Sequence, residues 1–166
     1  MVIGACSGKA RMVKLPDIPK RTIIIGVNKE EGSKRALEFY LNVMCDVELD
    51  HVYLCHFYEP PPLPFFSIKH PLNIPWQDWE RALRERVETV NKFMNECQWL
   101  CERKRVSCTT FTSFTSPHKG LMELAKEVNA SMIVIGKKSN LLEEILGKNV
   151  SSYVAHHCHI PVTLVI

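Results

Sequence analysis

The stretch TIIIGV, residues Thr22–Val27, decides the fold because it is a short β-branched run with no polar alternation. A strand that is apolar at every position is typical of a parallel sheet covered by helices on both faces. The run SMIVI, Ser131–Ile135, has the same character much further along the chain. Three less uniform runs complete a predicted set of five strands, at His51–Tyr58, Val106–Thr115 and Pro161–Ile166.

Amphipathic stretches with apolar residues at helical spacing separate these strands. They predict helices at Lys34–Met44 and Gln77–Lys104, a helix beginning near Pro117, and a last helix at Leu141–Cys158. Ser33 precedes the first of them and is a good N-cap candidate. Short apolar strands that alternate with amphipathic helices favour parallel pairing through right-handed crossovers. The sequence therefore predicts an α/β fold, an open, doubly wound, five-stranded parallel sheet of the Rossmann-like type with the order β-α-β-α-β-α-β-α-β.

Size and composition narrow the class of protein. The 166 residues suit one domain, which we assign to residues 21–166, with a flexible tail at residues 1–20. The net charge of +3 is small and interspersed, so we expect no nucleic-acid partner. No apolar run is long enough to span a bilayer, so we expect no membrane association. The seven cysteines lack a CxxC pair and an export signal, so we expect reduced thiols in the cytoplasm.

Ligands of an open parallel sheet bind beyond the carboxyl ends of its strands. Two turns are therefore candidates, one beginning at Asn28 after the first strand and one beginning at Gly136 after the fourth. Glycine lets backbone N–H groups approach a phosphate closely, and a helix N-terminus favours an anion. Positive charge is added near the second turn by three lysines, Lys137, Lys138 and Lys148. The residues predict an anion site at this edge of the sheet.

Several of these pieces, taken in order and spacing, resemble the universal stress protein family over roughly Arg21–Ile166. The matching pieces are VNKEEGSKRAL from Val27 onward, Cys55-His56-Phe57 at the end of the second strand, NASMIVIG at Asn129–Gly136, and Val150–Val154 followed by Pro161–Val165. The resemblance implies a fold like that of the adenine nucleotide alpha hydrolases and an adenine-nucleotide-binding protein of the stress response, with AMP or ATP as ligand. It also implies a homodimer formed through the last strand, residues 162–166.

The resemblance further implies the residues that hold the nucleotide. The adenine and ribose wall would be the backbone at Val27, Asn28 and Phe57. The phosphates would be held by Gly136, Lys138, Ser139, Lys148, Asn149, Val150 and Ser151. Ser139 stands where the family has a second glycine, Lys148 and Asn149 stand on its glycine–serine pair, and Asn28 replaces its usual aspartate. We expect Mg²⁺ only if a triphosphate is bound, and we predict neither a catalytic residue nor a metal site.

Two other functions stay open from the residues. One is an interaction module that binds no nucleotide and uses the proline-rich segment Glu59–Pro75 and the last strand as contact surfaces. The other is a slow ATPase, for which the sequence places no general base and no Mg²⁺-binding carboxylate. Cys97 and Cys101 share a helix face; packing as small apolar side chains is the expected role and a redox pair is the alternative.

Overall fold

The computed structural model describes residues 20–59, 61, 76–137 and 150–166. Within these residues, five strands form one sheet in the order β3-β2-β1-β4-β5, and every neighbouring pair is parallel. The strands are β1 Arg21–Gly26, β2 Asp50–Phe57, β3 Ser107–Ser113, β4 Met132–Gly136 and β5 Val162–Val165. The predicted α/β class and open parallel sheet are confirmed. Residues 1–19 of the predicted tail lie outside the described part of the chain.

Four α-helices accompany the strands in the described ranges: α1 Glu31–Phe39, α2 Trp76–Arg103, α3 Pro117–Glu127 and α4 Val150–His157. A π-helical turn, Tyr40–Met44, continues α1. The first positions of the last predicted helix, 141–149, are not among the described residues. No helix in these ranges combines the length and the apolarity that crossing a membrane requires.

The sheet separates two apolar layers, as its two-sided coverage requires. Ile23 and Ile25 of β1 point to the layer that contains α1 and α2, whereas Ile24 between them points to the layer of α3 and α4. Each of these isoleucines is at most 1% exposed, and burying such a side chain contributes about 1.5–3 kcal/mol. Full coverage on both faces explains why TIIIGV shows no polar alternation.

The start of α1 corrects one prediction. α1 begins at Glu31, and Glu30 occupies the N-cap position without a side-chain hydrogen bond to the helix, so the predicted N-cap role of Ser33 is wrong. Ser33 is instead buried in the first turn, where its hydroxyl accepts a hydrogen bond from the Asn28 N–H at 2.8 Å. A serine hydroxyl can bond to several nearby backbone groups, and the local sequence pattern does not distinguish among them.

Candidate functional site

The candidate site lies where the strand order reverses, between β1 and β4. From β1 the chain moves to β2 on one side, whereas β4 is followed by β5 on the other. Gly26 at the end of β1 pairs with Ile135, one residue before Gly136. The turns that begin at Asn28 and at Lys137 therefore leave the same carboxyl edge, as the sequence predicts. Such a reversal is where open α/β sheets bind their ligands.

The turn after β1 is fastened by side-chain hydrogen bonds. Ser33 Oγ accepts from the Asn28 N–H and donates to the Gly26 carbonyl at 3.3 Å. Asn28 Oδ1 accepts from the Glu30 N–H at 2.9 Å, which satisfies one of the donors at the start of α1. Asn28 thus stands exposed at the carboxyl edge on a fixed backbone.

Val27 and His56 join the ends of β1 and β2. The Val27 N–H donates to the Cys55 carbonyl at 2.8 Å, and its own carbonyl oxygen lies 2.7 Å from His56 Nδ1. Because a carbonyl only accepts, His56 carries a proton on Nδ1, and its Nε2 is an acceptor in the neutral ring. The ring of His56 contacts those of Tyr58 and Phe93, with centroids 5.5 Å and 5.6 Å away. Sequence reasoning left the role of His56 open; it orders the edge beside Val27.

The Phe57 ring packs in the apolar layer of α3 and α4. A Cβ atom built on Gly120 of α3 would lie 2.3–2.9 Å from atoms of the Phe57 ring, so α3 rests directly on that ring. Phe57 is 8% exposed. The role of its backbone in the adenine and ribose wall stays a prediction.

Gly136 has a packing role that the sequence did not reveal. A Cβ atom at this position would lie 2.0 Å from the Gly32 carbonyl oxygen and 2.7 Å from the Ser33 backbone nitrogen. A Cβ atom on Gly32 would in turn lie 2.5 Å from the Lys137 carbonyl oxygen. The first turn of α1 therefore packs backbone to backbone on the end of β4. Glycine at 136 is required by this contact, whether or not a phosphate also approaches it.

A cavity of about 150 Å³ opens between the turn after β1 and helix α2. Its apolar lining comes from Val27, Leu37, Phe93, Cys97 and Leu100. Polar and charged residues line the rest of the cavity: Asn28, Lys29, Glu30, Glu31, Ser33, Lys34 and Glu96. Pockets that hold a complete small ligand are about 300–1,000 Å³. This cavity therefore suits a single ring system, such as a nucleobase, rather than a whole nucleotide.

The structure brings part of the predicted site together. Val27, Asn28 and Gly136 lie at one carboxyl edge, and Val150 and Ser151 form the first turn of the described part of α4. Ser151 is 3% exposed. Four predicted phosphate contacts lie outside the described residues: Lys138, Ser139, Lys148 and Asn149. Sequence reasoning missed Gly32, whose need for a close contact has no local signal, and Phe93, whose helical spacing reads as ordinary core.

The architecture and the site place the chain among doubly wound α/β proteins that have their cleft at a strand-order reversal. The family model of the universal stress protein family matches residues 20–165, and the chain belongs to that family. No curated protein sequence matches the chain.

Solved structures of universal stress proteins share the fold at low sequence identity. UspA from Lactobacillus plantarum has a TM-score of 0.68 at 13% identity, over 90% of this chain and 100% of that one. A universal stress protein in complex with cAMP has a TM-score of 0.63 at 16% identity, over 89% and 98% of the two chains. A family protein from Arabidopsis thaliana with AMP bound has a TM-score of 0.57 at 17% identity, over 87% and 90%.

Proposed function

We propose that this chain binds an adenine nucleotide at the carboxyl edge and serves a stress response through that ligand. The observation that carries the proposal is the base-sized cavity beside Val27 and Asn28 at the strand-order reversal. Two family structures of the same fold contain AMP or cAMP, which supports this class of ligand. AMP is the simplest candidate, and Mg²⁺ enters only with a triphosphate.

The base would enter the cavity between Val27 and Phe93, with the apolar lining excluding water from its faces. The polar edge of the base would meet backbone groups at Val27 and Asn28. The phosphates would extend toward the turn after β4, where the sequence provides Lys138, Ser139, Lys148 and Asn149, and toward Val150 and Ser151 at the start of α4. Lysine point charges would then supply the attraction that close glycine contacts supply elsewhere in the family.

Thermal unfolding with AMP, ADP, ATP and cAMP tests the proposal. A ligand at about a hundred times its Kd stabilises the fold by about 2.7 kcal/mol, which raises the Tm of a chain of this size by about 5–10 °C. Leu100→Phe should abolish the shift, because Leu100 lines the cavity and a larger ring fills it. Leu83→Phe, at a half-buried position earlier on α2, is the matched control and should keep the shift.

A second variant pair tests the phosphate half. Lys148→Ala should weaken the shift for nucleotides but not for adenosine. Lys126 is an exposed lysine in the last turn of α3, near the amino ends of the strands. Lys126→Ala should therefore leave the Tm shifts for nucleotides and for adenosine unchanged. If none of the four nucleotides raises the Tm at millimolar concentration, the nucleotide proposal is wrong. The alternative function, an interaction module that binds no nucleotide, is then favoured. Phosphate release during long incubation with ATP would reveal hydrolysis.

We also propose that the protein acts as a homodimer through β5. This strand is the outer strand of the sheet beside β4, so one row of its backbone groups has no strand partner within the described residues. Leu164 is 39% exposed and Ile166 is 84% exposed, which gives the same edge an apolar surface. A second copy of the strand would satisfy both features.

A further inference from the structure

His56 is bonded to one wall of the cavity beside Val27 and Asn28, here called the base cavity, and is packed against another wall. Its Nδ1 donates a hydrogen bond to the Val27 carbonyl at 2.7 Å, and the centroid of its ring lies 5.6 Å from that of Phe93. Val27 and Phe93 both line the base cavity. The imidazole therefore connects the carboxyl end of β1 to helix α2 at the place where the base would enter.

The backbone donors of the Val27 wall already have partners inside the protein. The Val27 N–H donates to the Cys55 carbonyl, and the Asn28 N–H donates to Ser33 Oγ, both at 2.8 Å. The Val27 carbonyl belongs to the peptide group between two residues that line the base cavity, and a carbonyl oxygen accepts two hydrogen bonds. His56 supplies one of these bonds, so the peptide group offers a ligand an acceptor and not a donor.

The surroundings of His56 hold this acceptor in place. Its ring stacks on Tyr58 with centroids 5.5 Å apart and meets Phe93 edge to face, so the direction of the Nδ1–H bond is fixed by packing. A group that binds a ligand must be held to within about 0.5 Å of its productive position to be effective. Val27 is only 4% exposed, which limits the competition of bulk water for its carbonyl.

We propose that His56 is a positioning residue, which fixes the Val27 carbonyl as the acceptor for an amino group on the base. This inference rests on the function proposed above. The apolar lining of the base cavity, which includes Phe93 and Leu100, accepts the faces of any ring of suitable size. The fixed acceptor adds a selectivity that shape does not provide, because it favours a base that carries an exocyclic amine. Adenine has such an amine, and its N–H groups are donors.

Calorimetric titration of the full chain with AMP and with purine riboside monophosphate tests the proposal. The second nucleotide is AMP without the amino group of its base, and its ribose and phosphate are unchanged. It should bind the wild type about two- to tenfold more weakly than AMP, which is the effect of losing one hydrogen bond. Equal affinities would overturn the inference and leave the proposed function intact. Binding of neither nucleotide would refute the proposed function and this inference with it.

Two variants separate the hydrogen bond of His56 from the packing of its ring. His56→Phe keeps a ring against Phe93 but has no donor, so AMP should lose its advantage while purine riboside monophosphate binds as before. His56→Asn loses the ring, but its side-chain amide can donate near the position of Nδ1, so the advantage of AMP should persist.

The ratio of the two affinities is the decisive readout for these variants, because a purely structural role would weaken both nucleotides equally. Far-UV circular dichroism of the unliganded variants shows whether each is folded, and the comparison of nucleotides in the wild type tests the proposal even if one is not. An unchanged advantage of AMP in folded His56→Phe would overturn the proposal. Its loss in folded His56→Asn would assign the effect to the ring and overturn the role of the hydrogen bond.

Discussion

Asp50 is a fully buried carboxylate at the start of β2. Arg21 donates to it from Nε at 2.6 Å and from Nη2 at 2.8 Å, and the Tyr40 hydroxyl donates at 2.6 Å. The Asp46 N–H adds a further bond at 2.7 Å. Burial on its own raises the pKa of Asp50, but these hydrogen bonds outweigh it and the pKa lies below its ordinary value. The cluster joins the starts of β1 and β2 at the edge opposite the candidate site.

Asp50→Asn should lower the free energy of unfolding by about 2–4 kcal/mol. The substitution removes a negative charge that accepts three hydrogen bonds from side chains and one from the backbone. Glu48→Gln, in the exposed turn before β2, should change it by less than about 0.5 kcal/mol. Urea denaturation at neutral pH measures both variants. Equal losses in the two would show that the cluster contributes nothing specific.

The same carboxylate predicts a pH dependence. Since the pKa of Asp50 is lower in the folded chain, its stabilising contribution is complete above the unfolded pKa of about 3.9 and is lost as the pH falls through the folded value. The wild type should therefore lose more unfolding free energy than Asp50→Asn as the pH falls below about 4. Parallel pH profiles for the two proteins would contradict this assignment.

Gly136 and Gly26 end neighbouring strands but tolerate a methyl group differently. Gly136→Ala should destabilise the fold by about 1–3 kcal/mol or more, because its Cβ would meet the Gly32 carbonyl at 2.0 Å and backbone cannot move aside cheaply. Gly26→Ala should be tolerated, since its Cβ would lie 3.6 Å from the Leu121 side chain, an ordinary contact. Denaturant midpoints measure both. For the same reason, loss of nucleotide binding in a Gly136 variant would reflect a displaced α1 and not only a lost phosphate contact.

Helix α1 illustrates how far an element can be predicted from its own sequence. Its apolar spacing identifies a helix, but neither its start nor its end follows from spacing. At its start, Asn28 Oδ1 accepts a hydrogen bond from the Glu30 N–H, and the Ser33 hydroxyl accepts one from the Asn28 N–H in the preceding turn. At its end the Cys45 N–H bonds back to the Tyr40 carbonyl at 2.9 Å, which widens the last turn while the Tyr40 hydroxyl reaches Asp50. Both ends are set by partners outside the helix, which a periodic pattern does not contain.

Strand β5 provides a prediction at the scale of an element. Leu164→Lys should convert a homodimer to a monomer, because a charge on an edge strand opposes pairing with a second copy. Thr112→Lys, an exposed position on β3 at the other edge of the sheet, is the control and should leave the mass unchanged. Light scattering on purified protein distinguishes the dimer from a chain of 19.1 kDa. A wild type that is already monomeric would refute the dimer proposal.

For the molecule as a whole, the parallel sheet and the position of the two candidate turns could be predicted from the sequence. Both follow from strands such as TIIIGV, which must be buried on two faces and therefore need helices between them. The cavity could not be predicted, because Phe93 and Leu100 reach it from a helix far along the chain from Val27. Contacts between distant segments leave no periodic trace, so residues such as Gly32 and His56 acquire their roles only in the folded chain.

The two apolar layers share one sheet, so we expect them to unfold together. Ile25→Val changes the layer of α1 and α2, and Ile133→Val changes the layer of α3 and α4. Each should cost about 0.5–1.5 kcal/mol, and because the two side chains lie on opposite faces, the double variant should show their sum within about 0.5 kcal/mol. Far-UV and near-UV circular dichroism in urea should follow one transition in all the variants. If Ile133→Val shifted the urea midpoint of only one of the two signals, the layers would be separate cooperative units. A ligand bound near α1 and α2 would then not stabilise α3 and α4.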